Sequence, residues 1–159
     1  MQRHTRRVLA ITASLLALLC MTASAYGKRK PSDDPPFQYL GGTETLPGGC
    51  GGRLEILKDS LAFTCASGSV NMPFTAITVM QYRRDLSKQV LRMNIPWKVE
   101  PQFGRVKDNQ FLTIIYNEQG AVHAVVLKVD PSDMRPYLAE IELRSGKSVQ
   151  VYRNYDEFD

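Results

Sequence analysis

From Arg53 onward, apolar and polar residues alternate in short runs, and the period changes only once, near residue 130. A period of two sends successive side chains to opposite faces of a strand, so each run predicts a half-buried strand. Residues 53–57 put Leu54 and Ile56 on one face, with Arg53 and Glu55 on the other. Residues 60–65 repeat the pattern with Leu61, Phe63 and Cys65, and Lys58-Asp59 makes the turn of a hairpin. If Leu57 pairs with Ser60, Cys65 falls opposite Gly52. Residues 69–74 predict a third strand through Val70, Met72 and Phe74, with Pro73 confining it to an edge or a strand end. Residues 76–84 predict a fourth. In residues 91–99, Leu91, Met93, Ile95, Trp97 and Val99 alternate with Arg92, Asn94, Pro96 and Lys98, which predicts a fifth. Residues 111–116 and 121–129 predict the sixth and seventh, joined by a turn at 117–120.

The period then lengthens. Met134, Tyr137, Leu138 and Ile141 share one helical stripe. Ser132 or Asp133 is the expected cap, Pro136 requires a place in the first turn, and Gly146 ends the helix. Val149 and Val151 predict a short strand in 147–152. Residues 26–49 show no period and are rich in proline and glycine, so they predict a flexible linker. The expected domain is 50–153, followed by a polar tail at 154–159.

A length of 159 residues, 43% of them hydrophobic and 23% charged, suits one globular domain. The net charge of +4 is unevenly placed. Residues 1–25 hold Arg3, Arg6 and Arg7 and no acid, while the remainder has 17 bases against 16 acids. The basic balance is therefore no argument for nucleic-acid binding, and no nucleic-acid partner is expected. Those 25 residues have the form of a signal peptide: a positive end, an apolar run from Val8 to Met21, and Ala23-Ser24-Ala25 for cleavage. This predicts an exported protein, periplasmic or secreted. The alternative is a membrane anchor at residues 8–25.

Cleavage removes Cys20 and leaves Cys50 and Cys65. An even count in an exported chain predicts a disulfide between them, with free thiols as the competing reading.

The order of seven short antiparallel strands and one helix resembles the pleckstrin-homology-like (PH-like) fold. The phrases GGRLEILKDSLAFTC and VNMPFTAIT resemble the first strands of small bacterial relatives of PH and GRAM domains. NQFLTIIYNEQGAVHAVVLKV, followed by the helix, resembles their late hairpin. The resemblance spans residues 50–146. It implies a mainly β, partly open barrel capped by a C-terminal amphipathic helix. It carries no functional residue over. Phosphoinositide-binding relatives place several bases at the first hairpin turn, and Lys58 beside Asp59 does not match them.

Catalytic equipment is sparse. His123 is the one histidine after the signal, and its bland reading is a packed strand residue. Cys50 with His123 as base is the remote hydrolase reading. No metal-ligand spacing, phosphate loop or nucleophile elbow occurs, so no enzyme activity, cofactor or metal is expected. The charge map carries more weight. Residues 83–107 hold Arg83, Arg84, Lys88, Arg92, Lys98, Arg105 and Lys107 against Asp85 and Glu100. Residues 130–159 hold seven acids and four bases. Such asymmetry suits contact with an anionic surface, while a guarded strand edge is the simpler explanation. The resulting expectation is a non-catalytic interaction module of the bacterial cell envelope. Its partner would be an envelope protein or an anionic membrane surface. A carrier of an apolar or lipid ligand is the alternative.

Overall fold

A computed structural model describes residues 35–103 and 110–151. The expected signal peptide, linker residues 26–34, Arg105, Lys107 and the polar tail lie outside those residues.

The chain is mainly β. Among the described residues eight strands form one sheet: β1 (Phe37–Gly42), β2 (Cys50–Ile56), β3 (Ser60–Cys65), β4 (Gly68–Pro73), β5 (Ile77–Arg83), β6 (Gln110–Glu118), β7 (Ala121–Val129) and β8 (Gln150–Val151). Among the described residues two helices complete it, α1 (Lys88–Leu91) and α2 (Pro131–Ser145). The spatial order is β4-β3-β2-β1-β7-β6-β5-β8, so the sheet is not closed. All neighbours are antiparallel except β8, which runs parallel to β5.

The β2–β3 hairpin has the expected register. Leu57 N–H donates to the Ser60 carbonyl at 2.9 Å, and Cys65 faces Gly52. Pro73 ends β4, the edge strand, where a missing N–H costs no ladder bond. The β6–β7 turn is tighter than expected. Glu118 pairs with Ala121, leaving Gln119 and Gly120, both at positive φ (52° and 79°), as the two-residue loop. Two positive φ values match the right-handed twist of the flanking strands.

Two expectations about which segments are strands need correction. Part of the expected linker is strand β1, central in the sheet between β2 and β7. Phe37 and Tyr39 on it are fully buried. They alternate with Gln38 and Leu40, but glycines and prolines crowd both sides and shorten the run below recognition. The ordered fold therefore begins well before residue 50. Secondly, residues 91–99 are no strand. Within them, only Val99 makes a bridge, to Gly42. The backbone turns on itself instead, with Ile95 N–H on Met93 O and Trp97 N–H on Ile95 O. Burial still alternates from Met93 to Val99, but Leu91 is 66% exposed at the end of α1. The period reported which side chains turn inward, not which backbone groups pair.

That irregular segment has a job. The sheet's main core is built from Phe37, Tyr39, Phe63, Met72, Leu112, Ile114 and Leu127, with Met134 and Ile141 of α2 closing it. On the opposite face, Val79, Ile115 and Ala124 pack against Val90 and Ile95, with Leu86, Met93 and Trp97 around them. Covering both faces explains why β6 is buried at six consecutive positions, where alternation fails.

The cap of α2 is Asp130, not Ser132 or Asp133. Its side chain accepts from Ser132 N–H at 2.8 Å, and Pro131 follows at a first-turn position. Pro136 therefore lies inside the helix, past the first turn. Its missing N–H leaves the carbonyl of Ser132 without a helical donor, and both residues are exposed. Gly146 ends the helix at φ 64°, as expected.

Candidate functional site

Beyond β1 the chain turns into the end of the main core. Gly42 allows the close pass: a Cβ there would lie 2.1 Å from the Ala124 carbonyl oxygen. Thr43 then clips to β7, its N–H donating to Ala124 O at 2.9 Å and its hydroxyl accepting from Ala124 N–H at 3.0 Å. The clip aims Glu44 at Tyr116 and His123, which face each other across β6 and β7 and stack at 5.0 Å. Tyr116 donates its hydroxyl to Glu44 Oε1 at 2.8 Å, the Thr43 hydroxyl donates at 3.1 Å, and His123 Nδ1 lies 3.1 Å away.

Burial works to raise the Glu44 carboxyl, but these hydrogen bonds and the attraction of His123 outweigh it and hold the group below its ordinary 4.5. Burial, and then the Glu44 hydrogen bond, push the Tyr116 hydroxyl well above the tyrosine range. Tyr39 is pushed up to about 12, by burial first and then by Glu44. The cluster stabilises an ionised carboxylate by loading one oxygen with three donors. It fastens the loop after β1 to the β6–β7 hairpin. Thr43 is 4% exposed, with its hydroxyl engaged on both sides.

His123 thus has a partner that local sequence could not supply, Glu44, 79 residues away. Nothing in the sequence marks Glu44: it stands in a glycine-flanked stretch with no period. Glu44→Gln should cost about 1–2 kcal/mol at neutral pH, since a charge-assisted acceptor becomes neutral. A carboxyl held low in the folded state contributes stability above its ordinary 4.5, and loses it as the pH falls through the lower folded value. The gap between wild type and variant in urea midpoint should therefore close below pH 4.5.

Cys50 and Cys65 form the expected disulfide, with a Cα–Cα distance of 6.1 Å. Glycines 51 and 52 let β2 approach closely: a Cβ on Gly52 would lie 2.3 Å from Thr64 O. The bond suits an oxidising environment. It also leaves Cys50 no thiol to pair with His123. Among the described residues, no helix is long and apolar enough to cross a membrane.

The basic residues gather on and around α1. Arg84, Lys88, Arg92 and Lys98 are exposed, whereas Arg83 is largely covered and meets Asp85 at 2.6 Å. Lys88, Leu91 and Arg92 stand three and four residues apart on one helical turn, so they share a face. Val90 turns the other way into the second core, at 1% exposure. Exposed Leu91 is therefore bordered by two cations.

A second feature lies elsewhere. A surface groove of about 440 Å³ runs between β2 and α2, lined by Leu54, Glu55, Ile56, Pro136, Tyr137 and Glu140. Tyr137 is fixed at its base by an edge-to-face contact with Phe37 at 4.9 Å.

No family model, curated protein or solved structure matches this chain.

Proposed function

We propose that this protein is an exported, non-catalytic interaction module of the bacterial cell envelope, built on a PH-like scaffold, that docks on an anionic membrane surface. One observation carries the reading: Leu91, 66% exposed, stands beside Lys88 and Arg92 on one short turn, with Arg84 and Lys98 exposed nearby. An apolar side chain ringed by bases is suited to the boundary between headgroups and acyl chains. Each base near an anionic surface adds about 1 kcal/mol, and salt weakens it. The disulfide supports export.

Sedimentation with vesicles tests this. Vesicles rich in phosphatidylglycerol should carry the protein down at low salt, and pure phosphatidylcholine vesicles should not. Arg92→Glu with Lys98→Glu should abolish most of that binding and flatten its salt dependence. Both side chains point to solvent, so folding should stay within about 0.5 kcal/mol of wild type. Leu91→Ser should weaken binding without changing the salt slope. Equal binding by wild type and the double variant would defeat the reading.

A further inference from the structure

Register fixes how side chains lie on the second face of the sheet. Val79 of β5, Ile115 of β6 and Ala124 of β7 form one row across the strands. Two residues along, Gln81, Thr113 and Val126 form the next row, and Arg83, Phe111 and Lys128 the one after. Alternation keeps all three rows on one face, roughly 6.7 Å apart. The face therefore grades along the strands from apolar, through neutral polar, to a row with a cation at each end. The covering chain follows the same grading. Val90 and Ile95 pack on the first row, Gln89 reaches Gln81 at 3.4 Å, and Asp85 meets Arg83. The middle row is unfinished. Gln81 and Thr113 are each 1% exposed, yet Gln81 Oε1 and the Thr113 hydroxyl have no hydrogen-bond partner. Gln81 Nε2 donates to Gln150 at 2.9 Å, so the partner its Oε1 lacks is a donor. Such atoms carry the cost of leaving water with nothing gained in return.

We propose that this covered face binds one single-chain anionic glycerophospholipid. Its acyl chain lies on the row of Val79, Ile115 and Ala124, its free glycerol hydroxyl sits between Gln81 Oε1 and the Thr113 hydroxyl, and its phosphate lies toward Arg83 and Lys128. In such a lipid the hydroxyl stands between chain and phosphate, the order in which the three rows run. A hydroxyl both donates and accepts, so one group serves the amide oxygen and the threonine hydroxyl together. The cover can part to admit a chain, because its backbone bonds close within it: Leu91 N–H on Ser87 O, Met93 N–H on Val90 O, Ile95 N–H on Met93 O and Trp97 N–H on Ile95 O. Its backbone meets the sheet at Val99, which accepts from Gly42 N–H at 2.9 Å and donates to Gly42 O at 3.1 Å. Parting residues 86–97 from the face therefore breaks no strand ladder. An acyl chain slipped between Val90 and Ile95 and the floor keeps both sides covered, while the two orphan atoms gain partners. Arg83 and Asp85 are partly exposed, at 21% and 65%, so a phosphate readily displaces that carboxylate. The site lies behind the docking face and deepens that reading: docking would bring the cover that carries Leu91 against the source of the lipid.

The probe is 1-myristoyl lysophosphatidylglycerol, kept below the concentration at which it forms micelles and added to the full oxidised chain with ¹³C-labelled isoleucine methyls. Magnetisation transfer from lipid methylenes should reach Ile115 and Ile95, which pack together under the cover, and not Ile114 on the main-core face. Three changes should each weaken binding about tenfold, the equivalent of one buried or charge-assisted hydrogen bond: methylation of the lipid's hydroxyl at glycerol carbon 2, Thr113→Val and Lys128→Gln. Valine copies the shape of threonine and the lost hydroxyl had no partner, so Thr113→Val should unfold in urea no earlier than wild type. Equal binding by wild type and Thr113→Val, or by the methylated lipid, would overturn the site. Transfer from water to Ile115 with none from lipid would mean that a water fills the middle row, and would overturn it too. The probe is monomeric, so the result is read apart from vesicle sedimentation. Lipid contact at Ile115 without sedimentation would support the site and defeat the docking reading; sedimentation without that contact would overturn the site and leave docking in place.

Discussion

Replacing Cys50 and Cys65 together by serine should lower stability by about 3 kcal/mol, the entropy released when a closed loop of roughly this length is opened. The two cysteines are 15 residues apart in sequence, and the loop between them is the β2–β3 hairpin. The effect reaches further than the hairpin. Cys50 is the first residue of β2 and pairs with Tyr39 of β1, so the cross-link also holds the β1–β2 junction in register. Tyr39 in turn stacks on Phe63 in the core at 6.4 Å. Urea unfolding of wild type, of wild type in reductant and of the double variant checks this. The last two should share a midpoint, well below the first. Native wild type should react with a thiol reagent only after reduction. Equal midpoints for all three proteins would show that the cross-link contributes nothing.

Gly42→Ala should destabilise by about 3 kcal/mol, at the upper end for overpacking, because the new methyl meets backbone rather than a yielding side chain. Its Cβ would lie 2.1 Å from Ala124 O and 2.8 Å from the Tyr39 hydroxyl. Relief requires β1 to move off β7, and three features depend on that contact. Thr43 loses its clip on Ala124, Glu44 loses its approach to Tyr116 and His123, and Val99 loses its bridge to Gly42. Glu44→Gln breaks only the second. Gly42→Ala should therefore cost more than Glu44→Gln, and it should also raise hydrogen exchange in the segment carrying Trp97. Gly48→Ala is the control: its Cβ meets Val99 Cγ1 at 3.4 Å, ordinary contact, and the change should stay within about 0.5 kcal/mol. Equal effects at Gly42 and Gly48 would mean that the loop after β1 is not held as described.

The proposed docking face and the groove between β2 and α2 differ in how far the sequence announced them. The bases around α1 are adjacent in sequence, so a count along the chain finds them. That Leu91 stands among them, exposed, follows only once residues 88–91 are seen as a helical turn with Val90 inside. The groove joins β2 to α2, elements some eighty residues apart, and no local pattern reports such a meeting.

What the sequence determined by itself was local. Alternation predicted the β2–β3 hairpin and its register, because a short turn leaves neighbouring strands little choice, and the even cysteine count predicted the bond between Cys50 and Cys65. The change of period located α2, and Gly146 its end. The tertiary structure decided the rest. It made β1 a central strand although its sequence reads as linker, because long-range pairing with β7 and burial of Phe37 and Tyr39 outweigh weak local propensity. It left residues 91–99 outside the ladder despite the cleanest alternation in the chain. Facing inward on every second residue is a property of side chains, whereas a strand also needs a free edge beside it. It brought Glu44 to His123 because contacts between distant residues are fixed by how the sheet is ordered, and a period read along one segment carries no information about that order.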